Sequence, residues 1–512
     1  MKKGSLYEGL SAHSLSQLMP DLRQHLTQRD LIELRIIAQN QGLLIEATTA
    51  SAFVTELVAH MLAPEHIAQV WEDLDEEARD ALATLASTPQ GMPTPAFQRL
   101  FGELRSIGPG RLQAESPWKT PTGPGERLWY LGWLARGFTQ TPRGLIELIS
   151  IPRDLTPLLP LDRTSLDGVM PLPAPVSPPE TRRETAEMLL DDLAVLLAYV
   201  QNNKVWLRSE NRWQLKDLWQ LLPRLKLASI RQQPLEAGGP LHLLFFTARR
   251  LQLLTAVKHQ QRFGKALRPW LEQSRARQAL SLFRAWRQAE DWNDLCLTPD
   301  LHCQAGAWRN DPALAREALL AQAVRVTPDV WYEMDAWIQM IYDHLSDFQR
   351  PDGHYDTWYI QNEEGDFLRG FEHWFDVEGR LIRYLWQGPL FWLGAVELDD
   401  SGGRWRLTDR GEAFLQEKAP LARPSDAPIL SIAEDYEIVL APHIGLWDHL
   451  RVALFANWEA SLPVYRYRLT RRGLTRAAKR GVSAQRILAF LDQSSHNTIP
   501  GKVRRVLEKA QT

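Results

Sequence analysis

The chain has 512 residues, of which 44% are hydrophobic and 24% charged, and its formal net charge is −3. That composition excludes a disordered or collagen-like chain, and the charge excludes a globally basic nucleic-acid binder. No run of about 18 uncharged apolar residues exists, so no transmembrane helix is expected. The first ten residues, MKKGSLYEGL, carry lysines without a following apolar stretch and do not read as a signal peptide. Cys296 and Cys303 are the only cysteines, too few for a secreted scaffold, which points to a reducing cytoplasm.

In chain order, residues 1–63 read as a helical segment. SLSQLMPDLRQHL opens on a serine cap at Ser14, and TQRDLIELRIIAQNQG has Thr27 as candidate cap and Gly42 as stop. Phe53, Leu57, Val58 and Met61 then recur at helical spacing. Residues 64–152 read as a winged-helix-like domain, with three short helices followed by a turn running into the strand GLIELIS. Residues 153–180 are proline-rich and predict a linker. Residues 181–348 read as a mostly helical region with room for a second, irregular winged helix. There VWLRSE is a strand, and PLHLLFFTARRLQLLTAV and RFGKALRPWLEQSRARQ are helical. Residues 349–420 read as another winged-helix-like domain, because AVELDD and RWRLT flank a Ser-Gly-Gly turn. After a second proline-rich break, residues 427–512 read as a compact α+β domain. Its strands are ILSI, YEIVLAP and VYRYRLT. Its helices are HIGLWDHLRVALFANWEA, RRGLTRAAKRG, SAQRILAFLDQSS and PGKVRRVLEKA. The expected fold class is therefore multidomain and mainly α with small β elements, with winged-helix-like units and a C-terminal α+β domain.

One octamer occurs twice, as RWRLTDRG at 404–411 and RYRLTRRG at 466–473. In each copy strand alternation puts the two arginines on one face and the aromatic and leucine on the other. The Thr is suited to cap a following helix, so the octamer predicts one strand-to-helix joint used in two domains. The copies differ at Asp409 against Arg471, and the second begins a basic tail. From Val464 onward, twelve Lys and Arg face only Asp492 and Glu508. Such asymmetry points to an anionic partner. Helical geometry puts Arg472, Arg476, Lys479 and Arg480 on one face, opposite Leu474, Ala477 and Ala478. In the last helix Val503, Val506, Leu507 and Ala510 form the apolar face, with Lys502, Arg505 and Lys509 beside it. The candidate phosphate-contacting residues are Arg466, Arg468, Arg471, Arg472, Arg476, Lys479, Arg480, Lys502, Arg504 and Arg505.

DYEIVLAP (435–442), YRYRLTRRGLTRAAKRGVSAQRILAFLDQSS (465–495) and HNTIPGKVRRVLEKA (496–510) form a specific pattern. With it, residues 427–512 resemble the domain near the N-terminus of XPB-type DNA repair helicases and of bacterial helicase-associated proteins. Segments around LDEEARDALATLAS and GPLFWLGAVEL look like the winged-helix segments of those bacterial proteins. The resemblance implies DNA binding, since in the helicases this domain is implicated in sensing damaged or distorted DNA. It does not carry the motor across. A phosphate-binding loop needs G-x-x-x-x-G-K-[ST], and Gly501-Lys502 is followed by Val503 with no glycine five residues before it.

Other chemistry is weaker. Cys296, His302 and Cys303 are too few for a zinc site. His354, Asp356, Glu372 and His373 read more simply as turn residues than as a metal set. Asp191-Asp192 and Asp399-Asp400 are sequence neighbours that do not converge on a substrate. The twenty tryptophans read mainly as gap fillers between small helical domains, with base stacking open to any exposed ring. The expectation is a non-enzymatic, cofactor-free, nucleoid-associated protein that binds double-stranded or forked DNA, with a helicase or repair protein acting in trans and no membrane partner. The alternative is a protein–protein scaffold built on winged helices. A third reading is an unrecognised enzyme within residues 180–370.

Overall fold

The computed structural model describes residues 19–509 except 89, 142–143, 162–169, 184–187, 210–211, 228–236 and 422–425. The chain is mainly helical with small antiparallel sheets. It divides into two units, Met1–Pro171 with Leu345–Trp358, and Leu172–His344 with Tyr359–Thr512.

The first unit has one core that runs from Leu22 to Leu159. The expected boundary at residue 63 is therefore absent. The helices Leu22–Thr27, Leu31–Asn40 and Ala50–Met61 are too short to stand alone and bury their apolar faces in the core they share with residues 64–159. Asp21 and Asp30 cap the first two, not Thr27, and Ser14 lies outside the described residues. After them comes a winged-helix topology. Helix Glu76–Ser87 leads to strand Met92–Pro93, helix Thr94–Phe101, helix Pro124–Tyr130 and a hairpin of Ala135–Thr141 with Gly144–Ser150. The returning strand of the hairpin lies between the other two. Leu155 and Leu159, expected in a linker, are buried in this core. Residues 345–358 also belong here, tied by a double hydrogen bond from Arg99 to Asp347 at 2.8 and 2.9 Å.

The second unit repeats the winged-helix topology twice. In the first repeat, helices Met188–Asn202, Leu215–Leu221 and Pro240–Arg250 precede a hairpin of Leu254–Val257 with Gln260–Phe263. Leu207 N–H donates to His259 O at 2.7 Å and Gln261 N–H to Val205 O at 2.9 Å, setting a third edge beside the returning strand. This corrects the helical reading of residues 251–257 and of Arg262 and Phe263: the chain reverses at Lys258 and His259, both at positive φ (49° and 59°). The second repeat starts at helix Pro312–Ala323. It continues through strand Trp331–Glu333, helix Met334–Leu345, a helical run from Phe375 to Leu390, and the hairpin Val396–Asp399 with Arg404–Leu407. Its sheet order is again edge, returning strand, outgoing strand, with Arg182–Arg183 added on the far side. A unit boundary does fall close to the expected 348, at 344/345, but the second repeat resumes beyond the inserted segment 345–358. Trp337, Trp386 and Trp405 fill this core with ring centroids 4.9–5.5 Å apart, as gap fillers should.

The last block has four strands in the order Leu430–Ile432, Glu437–Leu440, Arg466–Leu469, Ala456–Ala460. The long helix expected from His443 to Ala460 stops at Phe455, and Ala456–Ala460 pairs as a strand with Arg466–Leu469. Helix Leu446–Phe455 packs on helix Met188–Asn202, so this block shares a core with the first repeat of its unit. Gln201 and Asn202 donate side-chain hydrogen bonds to Leu450 O and Ala453 O at 3.0 and 2.7 Å. Asp191 binds Lys226 and Arg275 at 2.9 and 2.7 Å, while Asp192 accepts from the backbone N–H groups of Lys226 and Leu227. The adjacent aspartates are thus a structural anchor. Cys296 and Cys303, whose small number pointed to a reducing compartment, instead form a disulfide with their Cα atoms 5.4 Å apart, within ordinary disulfide reach.

Candidate nucleic-acid interface

In a winged helix the third helix is the usual groove reader. Here all three are largely packed against the protein itself. In Pro124–Tyr130, residues 125, 126, 128, 129 and 130 are buried, and Arg127 is ion-paired with Asp75. Asn40 and Gln41 of the N-terminal helices hydrogen-bond Tyr130 O and Leu131 O at 3.2 and 2.6 Å, closing over its end. Helix Pro240–Arg250 and the run from Phe375 to Leu390 bury most of their residues, leaving His242, Arg250 and Phe375 exposed. An inserted helix has little free surface for sequence readout, and the larger exposed basic surfaces are the wings and the C-terminal block.

The alternation of the second octamer is as expected. Tyr467 and Leu469 are buried, and Arg466 and Arg468 point outward. Both arginines are committed to carboxylates. Arg466 lies 3.7 Å from Glu437, and Arg468 binds Asp435 and Glu459. Hydrogen bonds that Arg468 donates to Glu459 and then to Asp435 hold its pKa above its ordinary value. The first copy does the same, with Arg404 on Glu333 and Arg406 on Glu397 and Asp329. In both sheets these are cross-strand ion pairs that tie edges together.

The helix Arg471–Ala478 divides its arginines between two tasks. Arg476 donates to Leu454 O at 2.8 Å, Ala453 O at 3.1 Å, Ala456 O at 2.8 Å and Asn457 Oδ1 at 3.2 Å. It therefore satisfies the orphan carbonyls at the end of helix Leu446–Phe455. Burial first, then the charges of Arg480 and Arg472, lowers its pKa. Arg480 donates to Gln201 O at the end of helix Met188–Asn202. Arg504 pairs with Asp492. These residues, expected to grip phosphate, are structural.

The other candidate cations pair with no carboxylate among the described residues. Arg471, Arg472 and Lys479 are exposed and make no ion pair there. Lys502 lies 5.2 Å from the Tyr436 ring centroid, and Arg505 donates to Gly501 O of its own helix. In that last helix Val503 and Leu507 are buried but Val506 is exposed, and Ala510 lies outside the described residues. Arg471 and Arg472 occupy the first turn of their helix, where no acid is present. Positive charge there opposes the helix dipole at a cost of a few tenths of a kcal/mol. The corresponding turn of the first octamer carries Asp409 and Glu412. A protein built only for stability would use the acidic version in both places.

The sequence reading missed cations outside the tail. Lys258, Arg262, Lys265 and Arg268 are exposed on and just after the 254–263 wing. Among the described residues, no group of three or more His, Cys, Asp or Glu is placed to hold a metal ion. No protein-family model matches the chain, and no curated protein matches it.

Proposed function

We propose that the chain is a non-catalytic DNA-binding accessory protein of the helicase-associated kind, which contacts phosphates through its C-terminal block and reads no base sequence. The observation that carries this reading is the carboxylate-free pair Arg471 and Arg472 at a helix start, with Lys479 at the far end of the same helix. Helix starts present backbone N–H groups that suit a phosphate, and two guanidinium groups add to that field. The largely buried third helices favour contact without groove readout. The reading implies a nucleoid-associated, cytoplasmic setting and a helicase or repair protein supplied in trans on duplex or forked DNA. No helix among the described residues is long and apolar enough to cross a membrane.

The test is a salt titration. Contact through Arg471, Arg472, Lys479, Lys502 and Arg505 gives a slope of log K against log salt near about −4.5 on duplex DNA. Reversal of Arg471, Arg472 and Lys479 to Glu should weaken binding equally for all sequences and flatten the slope to about −2 or less. Unchanged affinity in that variant would reject the assignment. The scaffold reading is favoured by Trp219, which is 61% exposed on a helix of the second unit. A protein partner held equally by wild type and the charge-reversed variant would support it.

A further inference from the structure

The second unit contains a recess of about 350 Å³, within the usual range of small-ligand sites. Its floor is apolar, made by the buried Leu267, Leu271 and Leu450. Its rim carries two large aromatic rings left partly in solvent, Phe263 at 39% and Trp447 at 43% exposure. Lys265, Arg268 and Arg451 complete the rim.

The fold holds these groups close together. Phe263 ends the returning strand of the wing, and the chain then passes Gly264. A Cβ there would lie 1.9 Å from Gln252 O, so only glycine lets the wing turn so tightly into the helix Leu267–Leu271. That turn brings Phe263 and Lys265 to the rim. Helix Leu446–Phe455 supplies Trp447, Leu450 and Arg451 from the other side. Arg451 is held over the Phe490 ring, 3.8 Å from its centroid, and touches Asp448. Arg268 has a loose contact to Glu272 at 3.4 Å, and Lys265 makes no ion pair among the described residues.

Exposed rings with cations beside them over an apolar floor suit a ligand with flat faces and an anionic spine. A single-stranded nucleic acid has that chemistry, since bases stack on aromatic side chains and phosphates follow the positive groups. The recess also continues the basic block. Gln201 lines it, and Gln201 O accepts the hydrogen bond from Arg480 at the end of the Arg471–Ala478 helix. We infer that the recess between the 254–263 wing and helix Leu446–Phe455 holds an unpaired base of a DNA single strand, stacked on Phe263 and Trp447, with its phosphates near Lys265, Arg268 and Arg451. The inference rests on the DNA reading above and adds a single-strand subsite to it.

The experiment uses the full chain, an oligothymidylate of about 15 nucleotides, an abasic strand of equal length and a blunt duplex, all followed by fluorescence anisotropy. The variant F263A/W447A changes two partly exposed rings, and its fold is checked by circular dichroism. A second variant, F263Y/W447F, keeps both rings. Wild type should bind oligothymidylate at least about tenfold more tightly than the abasic strand. The alanine variant should lose that difference, the ring-retaining variant should keep it, and duplex affinity should stay the same in all three. Equal binding of oligothymidylate and abasic strand by wild type overturns the subsite. So does duplex binding without any oligothymidylate binding, which would give the recess to an apolar protein partner and leave the DNA reading intact. Failure of wild type to bind either DNA overturns both.

Discussion

Two neighbouring cations show how differently similar residues are used. Arg476 and Lys479 are three positions apart on one basic stripe, yet Arg476 makes four hydrogen bonds, three of them to carbonyls that end another helix. Lys479 is exposed and makes no ion pair among the described residues. Arg476→Ala should therefore cost about 2–4 kcal/mol in urea unfolding, because it strands buried acceptors. Lys479→Ala should stay within about 0.5 kcal/mol of wild type and weaken DNA binding instead. Equal stability of the two variants would refute the division of roles. The same device recurs at Arg316, which is fully buried, donates to Trp286 O and Arg287 O at 2.8 and 2.7 Å, and pairs with Asp294. The charge asymmetry of the tail was legible in the sequence. Which arginines were already engaged was not, because their partners are carbonyls and carboxylates on other elements. Glu459, for example, sits on a strand that the helical pattern of 443–460 concealed.

At the scale of elements, the doubled octamer is explained by its last residue as much as by its first five. Thr408 and Thr470 cap their helices by accepting from Gly411 N–H and Gly473 N–H at 2.9 and 3.1 Å. Each glycine then touches a backbone carbonyl of the chain entering the neighbouring strand. A Cβ at Gly411 would lie 2.0 Å from Ala395 O, and one at Gly473 2.0 Å from Phe455 O. Gly411→Ala and Gly473→Ala should each destabilise their unit by about 2–3 kcal/mol, since backbone rather than a flexible side chain must move. Gly501→Ala, at a helix start with no atom within 4 Å, should be neutral or slightly stabilising. Denaturant melts of the three variants check this, and a neutral Gly473→Ala would contradict the joint. Alternation and Thr capping were readable in advance, but the close approach was not, because its partners, Ala395 O and Phe455 O, lie on other elements. Turn chemistry also decided which wings could be seen. The 399–404 turn announces itself with Ser-Gly-Gly. The 257–260 turn uses Lys258 and His259 at positive φ, residues that carry no such signal.

For the whole molecule, the two units should answer acid differently. In the first, His25 is buried beside Arg29 and Arg136, and its pKa falls to about 3, chiefly through burial. A depressed histidine gives stability that is full above the unfolded value of 6.5 and drains as pH falls toward the folded value, by at most about 1.4 kcal/mol per pH unit. In the second, His449 behaves alike, with burial lowering it to about 4. Burial also raises Asp192 to about 7, and a raised carboxyl favours the folded state as pH falls from 7. The two offset each other between about pH 6.5 and 5. Native-state hydrogen exchange, corrected for intrinsic rates, should show the Leu31–Asn40 amides losing protection from pH 7 to 5 while those of Leu446–Phe455 hold level. His25→Gln should abolish the first trend, and a parallel loss in both units would refute the account. The division of the chain into units was only partly legible, because a proline-rich stretch marks where backbone is poor in regular structure, not which side chains share a core. The segment Leu345–Trp358 gives no sign in its composition that it belongs with the first unit.

That segment has a consequence for the order of synthesis. Arg99 must wait for Asp347, 248 residues later, before its double hydrogen bond can close. At ribosomal speeds of about 5–20 residues per second the delay is roughly 10–50 s. The first unit is thus the first to begin leaving the ribosome, but it cannot finish folding until residues 345–358 have followed.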